Sequence, residues 1–211
     1  MNDNEETNAR RGPSARVSAI LTAAGESTRM GSPKPLLEWH GVRLVEYQVR
    51  CLLEGGVSEV VVVLGHRAGD VIPFVKGPNV RHVVNSRYRE GKTTSIKAGL
   101  EAVSPDADAI ALLAVDQPRT VEIVSRIVTA HIENDTAITS PRYQGHGGHP
   151  LIFSARLRSE LENISEENEG LRQVFQNHLD EITKVPSDDP MIRLDLNTPE
   201  AYTEAQAFYK A

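Results

Sequence analysis

Residues 17–34 read VSAILTAAGESTRMGSPK, and the fold class turns on how that stretch divides. Residues 17–23 are an apolar run closed by small residues and Gly25, the pattern of a buried strand. Residues 24–34 mix Gly25, Gly31 and Pro33 with polar side chains, and read as a loop. The same alternation repeats outward. Residues 44–54 have helical spacing and stop at Gly55-Gly56, which suits a helix C-terminus. Residues 60–64 are four valines and a leucine, as in a strand covered on both faces. A short helix at 68–75 and a strand at 80–84 follow. Residues 93–103 place Ile96, Leu100 and Val103 on one helical face. Residues 109–115 read as a buried strand and 121–131 as a helix. Strands alternating with helices predict an α/β fold, a mostly parallel sheet with helices on both faces.

Beyond residue 137 the pattern loosens. Strands are expected at 137–140, 151–153 and 182–185, and helices near 155–161 and 170–178. Thr198-Pro199 opens a last helix, since threonine is a good N-cap and proline suits the first turn. With no internal repeat or linker, residues 17–211 read as one domain of ordinary size. Residues 1–16 lack an apolar core and read as a flexible tail rather than a secretory signal. A single cysteine, Cys51, allows no intramolecular disulfide and fits a reducing cytoplasm; beside Leu52 and Leu53 it reads as a packing residue. The net charge of −6 argues against a nucleic-acid or membrane surface, and no apolar run reaches the ~18 residues of a membrane span.

Ligands of open parallel sheets bind beyond the C-terminal ends of the strands. Three polar or glycine-bearing segments are expected there: 24–34, 85–95 and 116–118. In the first, small residues let backbone N–H groups approach phosphate oxygens, while Arg29 and Lys34 supply two cations for a triphosphate and a pyrophosphate leaving group. The loop is not a Walker A motif, because Ser-Pro-Lys follows Gly31. Nor is it a dinucleotide fingerprint, because no glycine stands two residues after Gly25. Asp116, at the end of an apolar strand, is either a turn-forming residue before Gln117-Pro118 or a hard oxygen donor suited to Mg²⁺.

Residues 21–34, Leu-x-Ala-Ala-Gly-x-Ser-x-Arg-Met-Gly-x-x-Lys, resemble the signature loop of the MobA-like nucleotidyltransferases, molybdenum cofactor cytidylyltransferases in particular. Further segments resemble that family in the same order. They are Val-Leu-Gly-His-Arg at 63–67, the stretch 85–100 with Asn85, Gly91, Ser95 and Gly99, and Asp116-Gln117-Pro118. Gly-Gly-His-Pro at 147–150 and Asp195-Leu-Asn-Thr-Pro-Glu follow. The resemblance covers residues 17 to about 209. It implies a three-layer α/β/α fold with a Rossmann-like sheet of the nucleotide-diphospho-sugar transferase type. It also implies Mg²⁺ on Asp116, with Asp195 or Asn197 as second ligand. The family often has Asp at both of the latter positions; Asn197 is the departure, and Asp195 is preferred.

The implied reaction is attack by an acceptor phosphate on the α-phosphorus of a nucleoside triphosphate, releasing pyrophosphate. Position and charge neutralisation then carry the rate. The family's guanylyl members resemble Ala-Gly-Gly where this chain has Ala23-Ala24-Gly25, and the added bulk favours a pyrimidine, hence CTP. Asn85, Gly91 and Ser95 are candidates for reading base or ribose, and Gln117 and His149 for the acceptor, a molybdopterin. The resemblance extends to a molybdoenzyme or its maturation chaperone as a protein partner. Competing readings are GTP as donor, a sugar or alcohol phosphate as acceptor, and a nucleotide-binding regulatory module without turnover. His146 and His149 lack a neighbouring Cys or His to complete a zinc site. His66 is either a strand-end cap or a crevice residue, Trp39 is a packing residue, and the acidic stretch 162–169 is a solvated loop or helix end.

Overall fold

The computed structural model describes residues 15–209. The expected tail therefore lies outside the described residues except for Ala15 and Arg16. The first strand, β1 (Val17–Ala23), is followed by a hairpin, β2 (Glu38–Trp39) and β3 (Val42–Arg43), and by α1 (Leu44–Glu54). Then come β4 (Glu59–Leu64), α2 (Ala68–Val71), β5 (Val80–Val84), α3 (Lys92–Ala102), β6 (Ala109–Ala114) and α4 (Val121–Asn134). The last third holds β7 (Ile138–Tyr143), β8 (His146–Gly147), β9 (Leu151–Ser154), α5 (Arg158–Asn163), α6 (Leu171–Asn177), β10 (Ile182–Pro186) and α7 (Pro199–Phe208). Every expected strand and helix is present. The sequence reading misses β8 and the β2–β3 hairpin, whose strands of two residues are too short to show a period.

The strands run in the order β10-β7-β9-β6-β1-β4-β5, with β8 paired to β7. β1 is parallel to both β4 and β6, β5 to β4, and β10 to β7, whereas β9 is antiparallel to β6 and β7. The period of two in β1 decides its two faces. Val17, Ala19, Leu21 and Ala23 join a core with α1, α4 and α7; Ile20 joins a second core with α3, α5 and α6. Helices thus cover both faces, so the valines of β4 are fully buried. Each such burial stabilises by roughly 1.5–3 kcal/mol. Gly99 lets α3 lie close on the sheet, since a Cβ there would meet Ile20 Cγ2 at 2.4 Å. Among the described residues no helix is long and apolar enough to cross a membrane.

Helix starts follow the sequence closely. The Thr120 and Thr198 hydroxyls accept from the amides of Ile123 (3.3 Å) and Ala201 (3.2 Å), capping α4 and α7. Cys51 and Trp39 are buried, as expected. One buried polar contact was not expected: His131 Nδ1 on α4 meets Thr139 Oγ1 on β7 at 2.9 Å. Burial pulls this imidazole down from 6.5 to about 4. The unfolded ring takes its proton near 6.5 and the folded ring only near 4, so stability is fully present above pH 6.5 and falls as pH drops. The difference is worth up to roughly 3 kcal/mol. His131→Gln is expected to flatten the stability–pH curve between pH 6.5 and 4, which urea unfolding at a series of pH values measures directly.

Candidate functional site

The chain leaves β1 for β4 on one side and later returns to β6 on the other, so the loops after β1 and β6 diverge at their C-terminal ends. That switch point is where open α/β sheets leave a crevice. A cleft of about 450 Å³ opens there, lined by Ala23, Ala24 and Gly25 of the first loop, by Asp116 and Gln117 after β6, and by Asp195 and Asn197 before α7.

Lys34 ties these three segments together. Its ammonium lies 2.6 Å from Asp116 Oδ2 and 2.8 Å from Asn197 Oδ1. The Lys34 amide donates to Ser27 Oγ (3.1 Å), and flanking prolines hold its backbone in a 3-10 turn, Lys34–Leu36. The Lys34 and Asp116 side chains are only 14% and 22% exposed, so their attraction is screened less than that of a surface pair. Leu196 N donates to the Asp116 carbonyl at 2.8 Å, clamping the C-terminal segment beside β6. Asp195 turns elsewhere: its Oδ1 accepts from Gln117 Nε2 at 2.8 Å, while Gln117 Oε1 accepts from the Ala114 amide at 3.2 Å.

The donor set around Lys34 is a carboxylate and an amide carbonyl already sharing one cation. Hard oxygens of this kind fit Mg²⁺ or Mn²⁺. Among the described residues no group of three or more His, Cys, Asp or Glu is arranged to hold a metal. A divalent ion on Asp116 and Asn197 would therefore complete its shell with phosphates and water, as Mg²⁺ commonly does.

Two residues that sequence reasoning passed over build this end of the site. Arg119 is fully buried. Its Nε donates to His149 O (2.8 Å), one terminal nitrogen to Pro118 O (2.7 Å) and Leu194 O (3.0 Å), and the other to Ile192 O (2.7 Å). One guanidinium thus joins the loop after β6, the 148–150 turn and the segment before Asp195. Burial pulls it down to about 10, so it stays cationic at neutral pH. Gln48 of α1 donates to Gln117 O (2.5 Å) and accepts from Arg119 N (3.2 Å). Gln48 was findable, being a polar residue four from both Leu44 and Leu52 on the apolar face of α1. Arg119 gave no such sign, because an arginine after a proline reads as surface.

His149 lines the cleft, and its amide donates to Ile192 O at 3.1 Å. Burial first, then the charge of Arg119, lower its imidazole to about 4. At neutral pH it can hydrogen-bond an acceptor but offers no cation.

On the opposite wall Gly91 and Ser95 line the cleft and Asn85 does not. Asn85 is buried and its amide is spent internally: Nδ2 donates to Thr94 Oγ1 (2.9 Å) and Ser95 Oγ (3.0 Å), and Oδ1 accepts from Arg87 N (2.9 Å). It shapes the start of α3 rather than meeting the cleft. Tyr88, Arg89 and Lys92, not singled out in the sequence, do line it. Arg89 Nε reaches Glu26 Oε1 at 2.7 Å and so joins the first loop to the α3 side; this pairing leads the causes that hold the Glu26 carboxyl below its usual range. His66 packs beside Tyr88, with ring centroids 6.3 Å apart, and is not in the lining. Arg29 is exposed and also outside the lining.

The acidic stretch is exposed as expected, with one correction. Glu166 Oε1 accepts from Thr93 N at 2.8 Å, placing a carboxylate on the positive end of α3. Gly91 has φ +120°, which favours glycine, and a Cβ there would lie 2.3 Å from that oxygen and displace the Glu166 side chain. Glu166→Ala is expected to cost about 1 kcal/mol, as loss of a cap does. Gly91→Ala is expected to cost about twice that or more, through strain and displacement of Glu166. Urea unfolding of both variants checks the order.

Residues 19–182 match the MobA-like NTP transferase domain. The nicotine blue oxidoreductase of Paenarthrobacter nicotinovorans is 34% identical over 164 residues, 74% of this chain and 79% of that one. The molybdenum cofactor cytidylyltransferase of Escherichia coli K12 is 28% identical over 196 residues, 92% of this chain and 97% of that one. The Rv0371c protein of Mycobacterium tuberculosis H37Rv, solved as a complex with manganese, shares the fold. Its TM-score is 0.75 at 23% identity, covering 90% and 97% of the two chains.

Proposed function

The chain belongs to the MobA-like NTP transferase family, and from that premise we propose that it transfers CMP from CTP to a phosphorylated acceptor, a molybdopterin, releasing pyrophosphate. The observation that carries this reading is the meeting of Lys34, Asp116 and Asn197 across the cleft beside Ala23-Ala24-Gly25. One cation and one carboxylate on facing loops suit a reaction in which negative charge builds on a leaving pyrophosphate.

An acceptor phosphate oxygen forms a bond to the α-phosphorus, and the bond from that phosphorus to the β-bridging oxygen breaks. The amides of the first loop orient the triphosphate. Lys34 takes charge from the leaving phosphates, and Arg29, exposed on the same loop, captures their outer end. Asp116 and Asn197 would hold Mg²⁺, which supplies Lewis-acid neutralisation of phosphate charge when bound. Asn197 replaces Asp195 in this role because it shares a cation with Asp116, whereas Asp195 is engaged by Gln117. The manganese of the Rv0371c protein supports a divalent ion. Arg119 keeps His149 and Gln117 in place on the acceptor side, where the neutral His149 ring hydrogen-bonds the acceptor.

The choice of CTP rests on Ala24, which is buried and lines the cleft. Removing its methyl enlarges the base pocket, so Ala24→Gly is expected to shift the CTP:GTP ratio of kcat/KM toward GTP by roughly tenfold. The test is pyrophosphate release with each of four nucleoside triphosphates, with and without molybdopterin, alongside an oxidoreductase assay on nicotine blue. Release with CTP and molybdopterin alone is the expected result. Release with another acceptor keeps the chemistry and replaces the acceptor. Redox turnover of nicotine blue without release would favour the activity named for the Paenarthrobacter relative. Nucleotide binding with neither would favour a regulatory module.

A further inference from the structure

Lys34 Nζ lies on Asp116 Oδ2 at 2.6 Å and on Asn197 Oδ1 at 2.8 Å, one oxygen from each of the two side chains that would hold a divalent ion. An ammonium and a divalent cation cannot both take those lone pairs at contact distance, because their like charges repel strongly in a poorly screened cleft. Asn197 sharpens the competition. It is neutral, so the ammonium already balances the one carboxylate it touches, and an incoming free cation meets no surplus negative charge on this pair. Asp195 keeps its charge, but among the described residues it makes no contact with Lys34; its Oδ1 accepts from the neutral Gln117 amide at 2.8 Å.

The ammonium is carried on a flexible four-carbon stem. The Lys34 backbone is anchored by Ser27 and by Pro33 and Pro35, while its flexible stem lies along the cleft. Triphosphate oxygens in the first loop would offer Lys34 stronger anionic partners and free Asp116 and Asn197 together.

We infer that Lys34 gates the metal site. Its ammonium closes Asp116 and Asn197 to a free divalent cation and yields them only when a triphosphate draws it away, so that metal and nucleotide enter together. The inference rests on the nucleotidyl-transfer reading for the source of the phosphates, and it makes Lys34 a determinant of binding order as well as a phosphate contact.

The experiment is a Mn²⁺ titration of the full chain without nucleotide, with free Mn²⁺ read by electron paramagnetic resonance. Lys34→Met is expected to bind Mn²⁺ at least about tenfold tighter than wild type, since a repulsive charge leaves the donor pair. Lys34→Arg is expected to bind no tighter than wild type. In Lys34→Met with Asp116→Asn the gain is expected to vanish, which locates it at this pair. Wild type should gain Mn²⁺ affinity when a non-hydrolysable CTP analogue is added. Lys34→Gln serves in the same way if the methionine variant does not fold by circular dichroism.

Mn²⁺ affinity unchanged or weakened in the folded Lys34 variants would overturn the gate, as would a gain that survives Asp116→Asn. Pyrophosphate release by wild type separates the two readings. Turnover without tightening in Lys34→Met removes the gate and leaves the transferase. Tightening in a chain that turns over no nucleotide removes the transferase and keeps the competition between Lys34 and metal.

Discussion

Asp116→Ala is expected to lower kcat/KM for pyrophosphate release by at least about 10³ while the fold survives. Among the described residues the carboxylate is the one formal negative charge contacting the Lys34 ammonium, at 2.6 Å. Removing it deletes the anchor for a divalent ion and releases Lys34 from its position beside Asn197. The structural cost is small by comparison. The part of Asp116 that pins the C-terminal segment is its backbone carbonyl, which accepts from Leu196 N at 2.8 Å and is untouched by the substitution. A partly buried ion pair lost in this way, with its lysine free to reach water, costs more than the ~1 kcal/mol of an exposed pair and less than the roughly 3–5 kcal/mol of a fully buried one. Steady-state kinetics beside thermal unfolding decides the matter, and turnover within tenfold of wild type would remove Asp116 from the reaction.

Arg119→Met should show the reverse balance, a large loss of stability with the site failing as a consequence. Four backbone carbonyls, of His149, Pro118, Leu194 and Ile192, accept from this one guanidinium. Methionine fills the volume and satisfies none of them. At about 1–3 kcal/mol for each buried acceptor left unpaired, partly offset by relaxation, the expected loss is about 3–5 kcal/mol. That is a large part of the total stability of a typical domain and lowers Tm by roughly 10 °C. Arg119→Lys is expected to recover little, because an ammonium lacks the planar fork that reaches three segments at once. Differential scanning calorimetry measures the shift. A loss below about 1 kcal/mol would mean that water replaces the guanidinium at all of these carbonyls.

Legibility from the sequence differed by residue for physical reasons. β1 and β4 were plain, because a strand covered on both faces is apolar at nearly every position. The cap Thr198 acts on an amide three residues away, so local chemistry was enough. Lys34 and Asp116 could be named separately, but no spacing rule pairs residues 82 positions apart. The preference for Asp195 over Asn197 weighed charge; in the structure both line the cleft, with Gln117 engaging the Asp195 carboxylate and Lys34 the Asn197 amide. Asn85 was read as facing a ligand because polar residues at strand ends often do; instead it organises the first turn of α3.

The sequence by itself therefore determined the alternation of strands and helices, the two-faced core, the basic loop after β1 and the carboxylate after β6. Each of these follows from the local period of apolar residues or from the chemistry of a few neighbours. Only the tertiary structure decided which polar groups meet: Lys34 with Asp116 and Asn197, Arg119 with four carbonyls, and Glu166 with the start of α3. Those meetings depend on how distant loops converge at the switch point of the sheet, where the chain turns to opposite sides of β1. Convergence is a property of topology that no window of sequence contains.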